Sequence, residues 1–319
     1  MRMRNLGSSG LRVSAVGLGC NNFGGRLDQE ATTAVVDACF DHGVTFFDTA
    51  DVYGGQGASE EALGRALEGR RDDVVLATKF GLDMGGLYGD DFGARGSRRY
   101  LRRAVEGSLR RLRTDHVDLL QYHRPDGVTP LEETLTAMGE LVTEGKVRYV
   151  GTSNLPAWQV ADASWTARTA HLAPFVSEQS EYSLLRRGAE AELLPACAAH
   201  GVGFLPYFPL ASGLLTGKYR RGEQAPDGTR LAGDMGPSWL TDEAFDVAEA
   251  VASFAEQRER SMLDVAFAGL LARPEVSSVI AGATRPEQVA ANAAAGDWEM
   301  PDADAAELRS ALDTATAAR

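Results

Sequence analysis

The segment Val74-Val75-Leu76-Ala77-Thr78-Lys79 opens with four apolar residues in succession. A strand with one face in water alternates apolar and polar residues, whereas a strand of a parallel sheet is covered on both faces. The segment therefore predicts a buried parallel strand that ends on a lysine. Seven other short apolar runs complete the set of predicted strands, which are Ala15–Gly19, Thr45–Thr49, Val74–Lys79, Val117–His123, Tyr149–Ser153, Phe175–Glu178, Gly203–Pro206 and Val279–Gly282.

Helical patterns separate these runs. Gln29–Asp41 carries an apolar stripe and is followed by Gly43, a typical stop signal. A serine cap at Ser97 begins another helix. Strands that alternate with helices in this number predict a (β/α)₈ barrel. The predicted helices are Gln29–Asp41, Ser97–Leu112, Pro130–Thr143, Pro156–Thr169, Ser261–Ala272 and Pro286–Ala295.

An open doubly wound sheet is the alternative α/β architecture. It would place the spacing GxGxxG after the first strand, but here Gly17 and Gly19 are followed next by Gly24. We therefore predict one barrel domain over residues 1–319, preceded by a hairpin in Met1–Ser14. Long loops over Gly81–Gly96 and Ala211–Trp239 are expected at the carboxyl face, and loops of this length are usually functional or disordered.

Composition excludes several classes of protein. The chain has 319 residues and a net charge of −13, which argues against general nucleic-acid binding. A hydrophobic content of 44% is ordinary for a globular chain, and no apolar run is long enough for a membrane span. Three cysteines without paired spacing and a polar first segment predict a cytoplasmic protein. The sequence does not fix the oligomeric state, so a monomer and a homo-oligomer both stay open.

Polar residues capable of proton transfer follow several predicted strands. Asp48 ends the second strand, Tyr53 follows five residues later, Lys79 ends the third strand and His123 ends the fourth. The carboxyl ends of barrel strands meet at one face, so these four side chains are expected to converge. An ammonium group lowers the pKa of a neighbouring phenol, an aspartate would hold that ammonium, and a histidine could orient a substrate oxygen.

Each of these residues also has a purely structural interpretation. Asp48 could cap a turn, Tyr53 could anchor a loop, Lys79 could point into solvent and His123 could be a packed histidine. Their joint placement at successive strand ends favours chemistry. No HxH or HExxH pattern occurs among the five histidines, so we predict no metal site. A hydrolase on the same fold is disfavoured for that reason.

Six ordered motifs resemble those of the aldo-keto reductase family and cover nearly the whole chain. They are Asp48-Thr49-Ala50-Asp51-Val52-Tyr53-Gly54, the strand segment Asp118–Asp126, Gly145-Lys146-Val147-Arg148-Tyr149-Val150-Gly151-Thr152-Ser153-Asn154, the pair Gln179 and Tyr182, the segment Tyr207–Lys218, and the tail from Gly282 to Asn292.

The resemblance implies hydride transfer between NADP(H), or NAD(H), and a carbonyl compound. It implies that Tyr53 is the acid or base, that Lys79 and Asp48 tune it, and that His123 orients the substrate. The resemblance implies cofactor contacts at Gly19, Cys20, Ser153, Asn154, Gln179, Tyr207, Pro209, Leu210, Ser212, Lys218, Arg230, Gly282, Thr284, Arg285, Gln288 and Asn292. Substrate contacts are expected from Phe23, Phe80 and Arg124.

The adenosine end departs from the family pattern. Ala281 stands where the family has proline, and Ala291 stands where it has the glutamate that contacts adenine. Arg230 or Arg285 could bind a 2′-phosphate, which would favour NADPH, or both could be solvated surface residues. Three functions stay open: a carbonyl reductase, a sugar or alcohol dehydrogenase, and a nucleotide-sensing regulatory subunit.

Overall fold

A computed structural model describes residues 1–233 and 236–317. The chain begins with an antiparallel hairpin of β1 (Met3–Asn5) and β2 (Arg12–Ser14), in which Arg4 pairs with Val13. Eight parallel strands follow: β3 (Val16–Gly19), β4 (Phe46–Asp48), β5 (Val75–Phe80), β6 (Val117–Tyr122), β7 (Val147–Ser153), β8 (Phe175–Glu181), β9 (Gly203–Tyr207) and β10 (Val279–Gly282).

The parallel strands form a nearly closed barrel in the order β10-β3-β4-β5-β6-β7-β8-β9. The two end strands approach each other through Phe204, whose backbone nitrogen donates to Glu275 O at 2.8 Å and whose carbonyl accepts from Ser277 N at 2.9 Å. The predicted (β/α)₈ barrel is confirmed. The strand positions agree with the sequence prediction to within about two residues at most ends.

Helices surround the barrel, and several of them were absent from the prediction. Pro130 and Pro156 act as N-caps rather than as first helical residues, since each has an extended backbone. No helix in the described ranges is both long and apolar enough to cross a bilayer. The helices are α1 (Gln29–Asp41), α2 (Ala58–Ala66), α3 (Arg98–Leu112), α4 (Leu131–Thr143), α5 (Ala157–Thr169), α6 (Leu193–His200), α7 (Gly236–Trp239), α8 (Asp242–Glu256), α9 (Met262–Leu271), α10 (Pro286–Asp297) and α11 (Asp302–Ala317).

Two apolar clusters stabilise this arrangement. The larger one lies between strands and helices, and the smaller one fills the barrel interior. Successive residues of a strand point to opposite faces, which separates the two clusters. Leu6 and Val13 of the hairpin belong to the interior cluster and are fully buried, so the hairpin closes the amino end of the barrel. The carboxyl end stays open.

Candidate active site

A cavity of about 890 Å³ opens at the carboxyl ends of the strands. Residues from the ends of β3, β4, β7, β8, β9 and β10 contribute to its wall. This is the face at which barrel enzymes carry their active sites. The predicted site residues that line it are Gly19, Asp48, Tyr53, His123, Arg124, Ser153, Asn154, Gln179, Tyr207, Pro209, Leu210, Ser212, Lys218, Arg230, Gly282, Thr284, Arg285, Gln288 and Asn292.

A buried ammonium organises the floor of this cavity. Lys79 Nζ lies 2.6 Å from Asp48 Oδ2, 3.0 Å from Thr49 O and 3.4 Å from the Tyr53 hydroxyl. Its side chain is completely buried in β5, directly behind the cavity wall. Because Lys79 donates all three of these hydrogen bonds, the proton of the Tyr53 hydroxyl stays available for a ligand.

The carboxylate of Asp48 is held in a fixed orientation by two amides. Gln121 Nε2 donates to Asp48 Oδ1 at 3.0 Å, and Gln179 Nε2 donates to the same oxygen at 3.1 Å. With Lys79 on the other oxygen, Asp48 is fully partnered although it is buried. Sequence reasoning missed Gln121, although a lone amide in the apolar run of β6 was a usable signal.

The His123 imidazole lines the cavity next to Tyr53. Its ring lies 5.8 Å from the Tyr53 ring, centre to centre, at an interplanar angle of 86°. Burial, with the charges of Lys79 and Arg124, lowers the pKa of His123 to about 3. The imidazole is therefore neutral at physiological pH and can donate one hydrogen bond without carrying charge.

The pKa of Tyr53 differs from the sequence prediction. Burial raises the pKa of this phenol above its ordinary value, and the opposing effect of the Lys79 ammonium does not offset it. Burial also opposes the charge of Lys79, but Asp48 and Tyr53 outweigh it, so the pKa of Lys79 is raised and it stays charged. The Tyr53 hydroxyl is consequently neutral in this structure, next to a cation that would stabilise its anion.

The end of β7 and the turn after it present Ser153 and Asn154 to the cavity. Asn154 adopts a left-handed backbone (φ 61°) and bonds through its side chain to His123 O at 3.0 Å and to the Tyr207 hydroxyl at 2.9 Å. Its backbone nitrogen donates to Gln179 O at 3.0 Å. Asn154 thus joins three strand ends in one rigid unit.

A second buried acid supports this turn from outside the barrel. Glu178 Oε1 accepts hydrogen bonds from Leu155 N at 3.2 Å and Ser180 Oγ at 2.6 Å, while its other oxygen is buried without a partner among the described residues. Burial raises the pKa of Glu178 to about 8. At neutral pH the protonated acid predominates, which avoids the cost of an isolated buried charge.

The loop after β9 has features that suit a bound phosphate. Ser212 has a left-handed backbone (φ 55°), and its hydroxyl is buried with no hydrogen-bond partner in residues 1–233 and 236–317, although the residue lines the cavity. Lys218 and Arg230 line the same wall, and the contacts recorded for their charged groups are with aromatic rings, of Tyr219 at 5.3 Å and of Phe208 at 5.2 Å. A buried hydroxyl that lacks a partner among the described residues and two cations held by aromatic rings fit a dinucleotide, whose phosphates would bind them.

Three predicted contacts do not reach the cavity. Cys20, Phe23 and Phe80 are fully buried in the cluster between strands and helices. Phe80 stacks on Tyr122 at 5.3 Å, because it follows Lys79 in β5 and must point to the opposite face. In this structure the three side chains support the site through packing.

Other cavity residues were missed. Asn21, Asn22 and Arg26 follow β3 and line the cavity, and Asn22 Nδ2 donates to Ala283 O at 3.4 Å. Their position after the first barrel strand was the available signal, since such loops form the mouth of a barrel. Ala291, the departure noted at the adenosine end, also lines the cavity. Within residues 1–233 and 236–317 no three acidic, histidine or cysteine side chains are grouped to hold a metal.

The barrel and its site define a class of protein. The sequence model of the aldo/keto reductase family matches residues 15–313, and the chain belongs to that family. Members of this family are oxidoreductases that generally use NAD(P)H.

Named relatives cover almost the same span. A probable voltage-gated potassium channel subunit beta of Arabidopsis thaliana is 38% identical over 93% of this chain and 92% of its own length. An L-glyceraldehyde 3-phosphate reductase of Escherichia coli (strain K12) is 36% identical over 92% of this chain and 86% of its own. An uncharacterized oxidoreductase of Bacillus subtilis (strain 168) is 37% identical over 91% of this chain and 89% of its own.

Proposed function

We propose that this protein reduces an aldehyde or ketone to an alcohol with NADPH, and that Tyr53 donates the proton. The observation that carries the proposal is the position of the Tyr53 hydroxyl, which faces the cavity 3.4 Å from the buried Lys79 ammonium. Asp48 anchors that ammonium at 2.6 Å. A phenol beside a fixed cation suits general acid catalysis toward a carbonyl oxygen.

The residues around the cavity would hold the cofactor at both ends. Ser153, Asn154 and Gln179 offer hydrogen bonds for the carboxamide of a nicotinamide, and the Tyr207 ring could stack on it. Lys218 and Ser212 suit the diphosphate, and Arg230 or Arg285 suits a 2′-phosphate, which favours NADPH over NADH. The bound nicotinamide would supply the hydride.

The protein contributes orientation and the proton. His123, neutral at pH 7, would donate a hydrogen bond to the carbonyl oxygen, while the Tyr53 hydroxyl is within reach of the same oxygen. When Tyr53 gives up its proton, the ammonium of Lys79 stabilises the phenolate that remains. In the reverse direction the same phenolate would accept a proton from an alcohol, which is the dehydrogenase alternative.

Arg124, which lies in the motif Asp118–Asp126, gives the best indication of the class of substrate. It is exposed at the cavity rim, beside His123, and lines the wall. The Escherichia coli relative is named for a phosphorylated aldehyde. We propose that a polar or anionic carbonyl compound fits this rim better than a purely apolar one, since Arg124 would otherwise face an apolar group.

A regulatory subunit is the second candidate, favoured by the relatives named as potassium channel subunits. The two candidates differ in turnover. A panel of aldehydes, ketones and sugars, followed by the absorbance of NADPH, distinguishes them. Oxidation of NADPH by one or more substrates supports the reductase, and binding of NADPH without turnover across the panel supports the regulatory candidate.

The Tyr53→Phe variant tests the proton donor. Phenylalanine keeps the ring and its packing but removes the hydroxyl, so we expect the rate of reduction to fall by about 10²–10⁴-fold or more. The dissociation constant of NADPH, measured by fluorescence, should stay within about twofold of wild type. Retained turnover would exclude Tyr53 as the acid. A lost affinity for NADPH would mean instead that the substitution disturbs the cavity.

A further inference from the structure

Two buried polar residues, Ser59 and Glu60, lie in the first turn of α2, behind the segment that carries Tyr53. We call that segment, residues 49–57, the Tyr53 turn. Ser59 N donates to Tyr53 O at 3.1 Å. The Ser59 hydroxyl donates to Cys20 O at 2.7 Å and contacts Thr49 Oγ1 at 2.9 Å. Ser59 therefore holds the start of the Tyr53 turn and also the residue that carries the hydroxyl.

The carboxylate of Glu60 links α2 to β5. Its Oε1 accepts a hydrogen bond from the Thr78 hydroxyl, and its Oε2 accepts one from Arg111 Nε at 2.8 Å. Thr78 directly precedes Lys79 in β5, and successive residues of a strand point to opposite faces. The Glu60 carboxylate is thus bonded to the outer face of the strand whose inner face presents the Lys79 ammonium.

Arg111 of α3 completes a buried ion pair with Glu60. The Glu60 side chain is fully buried and that of Arg111 is 12% exposed. A Cβ at Gly57 would overlap Arg111 Nε, so the guanidinium packs directly on the backbone of the Tyr53 turn. Its Nη2 also donates to the Tyr88 hydroxyl at 2.7 Å. Because burying such a pair costs much of what the attraction returns, its presence is weak evidence for stability alone and is compatible with a positional role.

Asp51 adds a second buried acid to this cluster from within the Tyr53 turn. Its backbone nitrogen donates to Lys79 O at 3.1 Å, while neither carboxyl oxygen has a hydrogen-bond partner within residues 1–233 and 236–317. Burial, and next the charge of Glu60, raise the pKa of Asp51 well above its ordinary value, against the effect of Arg111. Asp51 is therefore neutral, and the charge of Arg111 is balanced by Glu60.

We propose that Glu60 is a positioning residue for the proton transfer, because it fixes the Tyr53 turn against the strand that carries Lys79. The inference rests on the proposed function for the reaction that is served, and it assigns Glu60 and its partner Thr78, neither of which lines the cavity. The Tyr53 hydroxyl lies 3.4 Å from Lys79 Nζ, and the attraction between a phenolate and an ammonium weakens with distance. A displacement of about 1 Å can lower a rate by about 100-fold.

A matched pair of variants at Thr78 tests the link to β5. Thr78→Val keeps the shape of the side chain but removes the hydroxyl that bonds Glu60, whereas Thr78→Ser keeps the hydroxyl. We expect Thr78→Val to lower kcat for the most active aldehyde of the panel by about tenfold or more. The apparent pKa in the pH profile of kcat/KM should rise, because the phenol moves away from the ammonium.

The dissociation constant of NADPH should stay within about twofold of wild type in both variants, since the cavity wall is unchanged. Thr78→Ser should also keep kcat and the pH profile of wild type. If Thr78→Val matches Thr78→Ser in both measurements, the link to β5 does not position Tyr53 and the proposal is wrong. A loss of NADPH affinity equal to the loss of kcat would also overturn it, because the whole cavity would then be disturbed.

The double variant Glu60→Leu with Arg111→Met separates positioning from stability. It replaces the buried pair by apolar side chains of similar size, an exchange that is often neutral for stability. Urea denaturation measures its unfolding. A folded double variant with a low kcat and a raised apparent pKa supports the proposal, and a folded one with the kcat of wild type contradicts it.

Asp118→Asn is the control for a general loss of stability. Asp118 Oδ2 accepts hydrogen bonds from Leu76 N and Arg71 Nη2, each at 2.8 Å, so it supports the amino end of β5. The variant should unfold more easily than wild type while its kcat and pH profile stay unchanged. An equal loss of kcat in Asp118→Asn would mean that any weakening of β5 slows the reaction, which removes the case for Glu60.

Hydrogen exchange keeps this inference separate from the proposed function. If the wild-type protein reduces no carbonyl compound of the panel, the proposed function fails. Glu60 is then judged by the amide exchange of residues 49–57, measured by mass spectrometry without any ligand. Faster exchange in Thr78→Val than in Thr78→Ser would support a link that fixes the Tyr53 turn, and equal exchange would exclude it.

Discussion

At the residue scale, the Lys79 ammonium contacts three oxygens that belong to β4 and the turn after it. Its partner Asp48 is in turn bound by Gln121 and Gln179, so four strands hold one charge pair. Removing one member of a buried ion pair leaves the other uncompensated and costs about 3–5 kcal/mol. The intact pair therefore stabilises the floor of the cavity.

The Lys79→Met variant tests the tuning role. Without the ammonium, the phenolate of Tyr53 loses its stabilising charge, so the apparent pKa that controls the rate should rise and kcat should fall by about 10²-fold or more. The measurement is the dependence of kcat/KM on pH. A double variant, Asp48→Asn with Lys79→Met, removes the uncompensated carboxylate and controls for unfolding. An unchanged pH profile in both variants would argue against the tuning pair.

At the scale of elements, the amino-terminal hairpin closes the barrel through a turn that has no room for a side chain. Gly7 has a left-handed backbone (φ 58°), and a Cβ there would lie 2.4 Å from Gly201 O and 2.5 Å from Gly203 N. Ser8 N donates to Gly201 O at 2.8 Å, so the turn is attached to the start of β9. Leu6, the residue before this glycine, lies in the interior cluster.

We expect Gly7→Ala to lower the free energy of unfolding by more than about 2 kcal/mol, because backbone strain and displacement of β9 add together. Gly69→Ala is the matched control, since Gly69 has a similar backbone (φ 78°) with open space around it. We expect Gly69→Ala to lower the free energy of unfolding by only about 1–2 kcal/mol. Urea denaturation measures both. Equal losses would mean that the close contact with β9 contributes nothing.

At the scale of the whole molecule, two buried groups give stability an opposite dependence on pH. His123, with a pKa of about 3, binds its proton less well than in the unfolded chain, so stability is lost as pH falls below about 6.5. Glu178, with a pKa of about 8, keeps its proton above the pH at which the unfolded chain releases it. Its contribution to stability is therefore lost as pH rises from about 4.5 to 8.

The Glu178→Gln variant should no longer lose stability through this carboxyl group as pH rises. Glutamine retains an oxygen acceptor for Leu155 N and carries no charge, so the variant should unfold a few degrees above wild type at pH 8. The difference should shrink towards pH 5. Thermal unfolding across this pH range measures it, with the exposed Glu287→Gln as control. A difference that does not vary with pH would contradict a carboxyl group that titrates in the folded state.

Much of the architecture followed from local pattern. Runs such as Val74–Ala77 are apolar at successive positions because a parallel barrel buries both faces of its strands, and the count of runs predicted the barrel. Asp48, Tyr53 and His123 could be placed at one rim because the ends of parallel strands must meet there. These conclusions need only periodicity, strand direction and topology.

Features that depend on how distant segments pack could not be predicted in this way. Sequence spacing does not say that Arg26 touches Gly228, that Phe80 turns away from the cavity, or that burial outweighs Lys79 in raising the pKa of Tyr53. Each depends on which surfaces are covered when distant segments pack. Desolvation and like-charge repulsion are properties of that packing, so they exist only once the chain is folded.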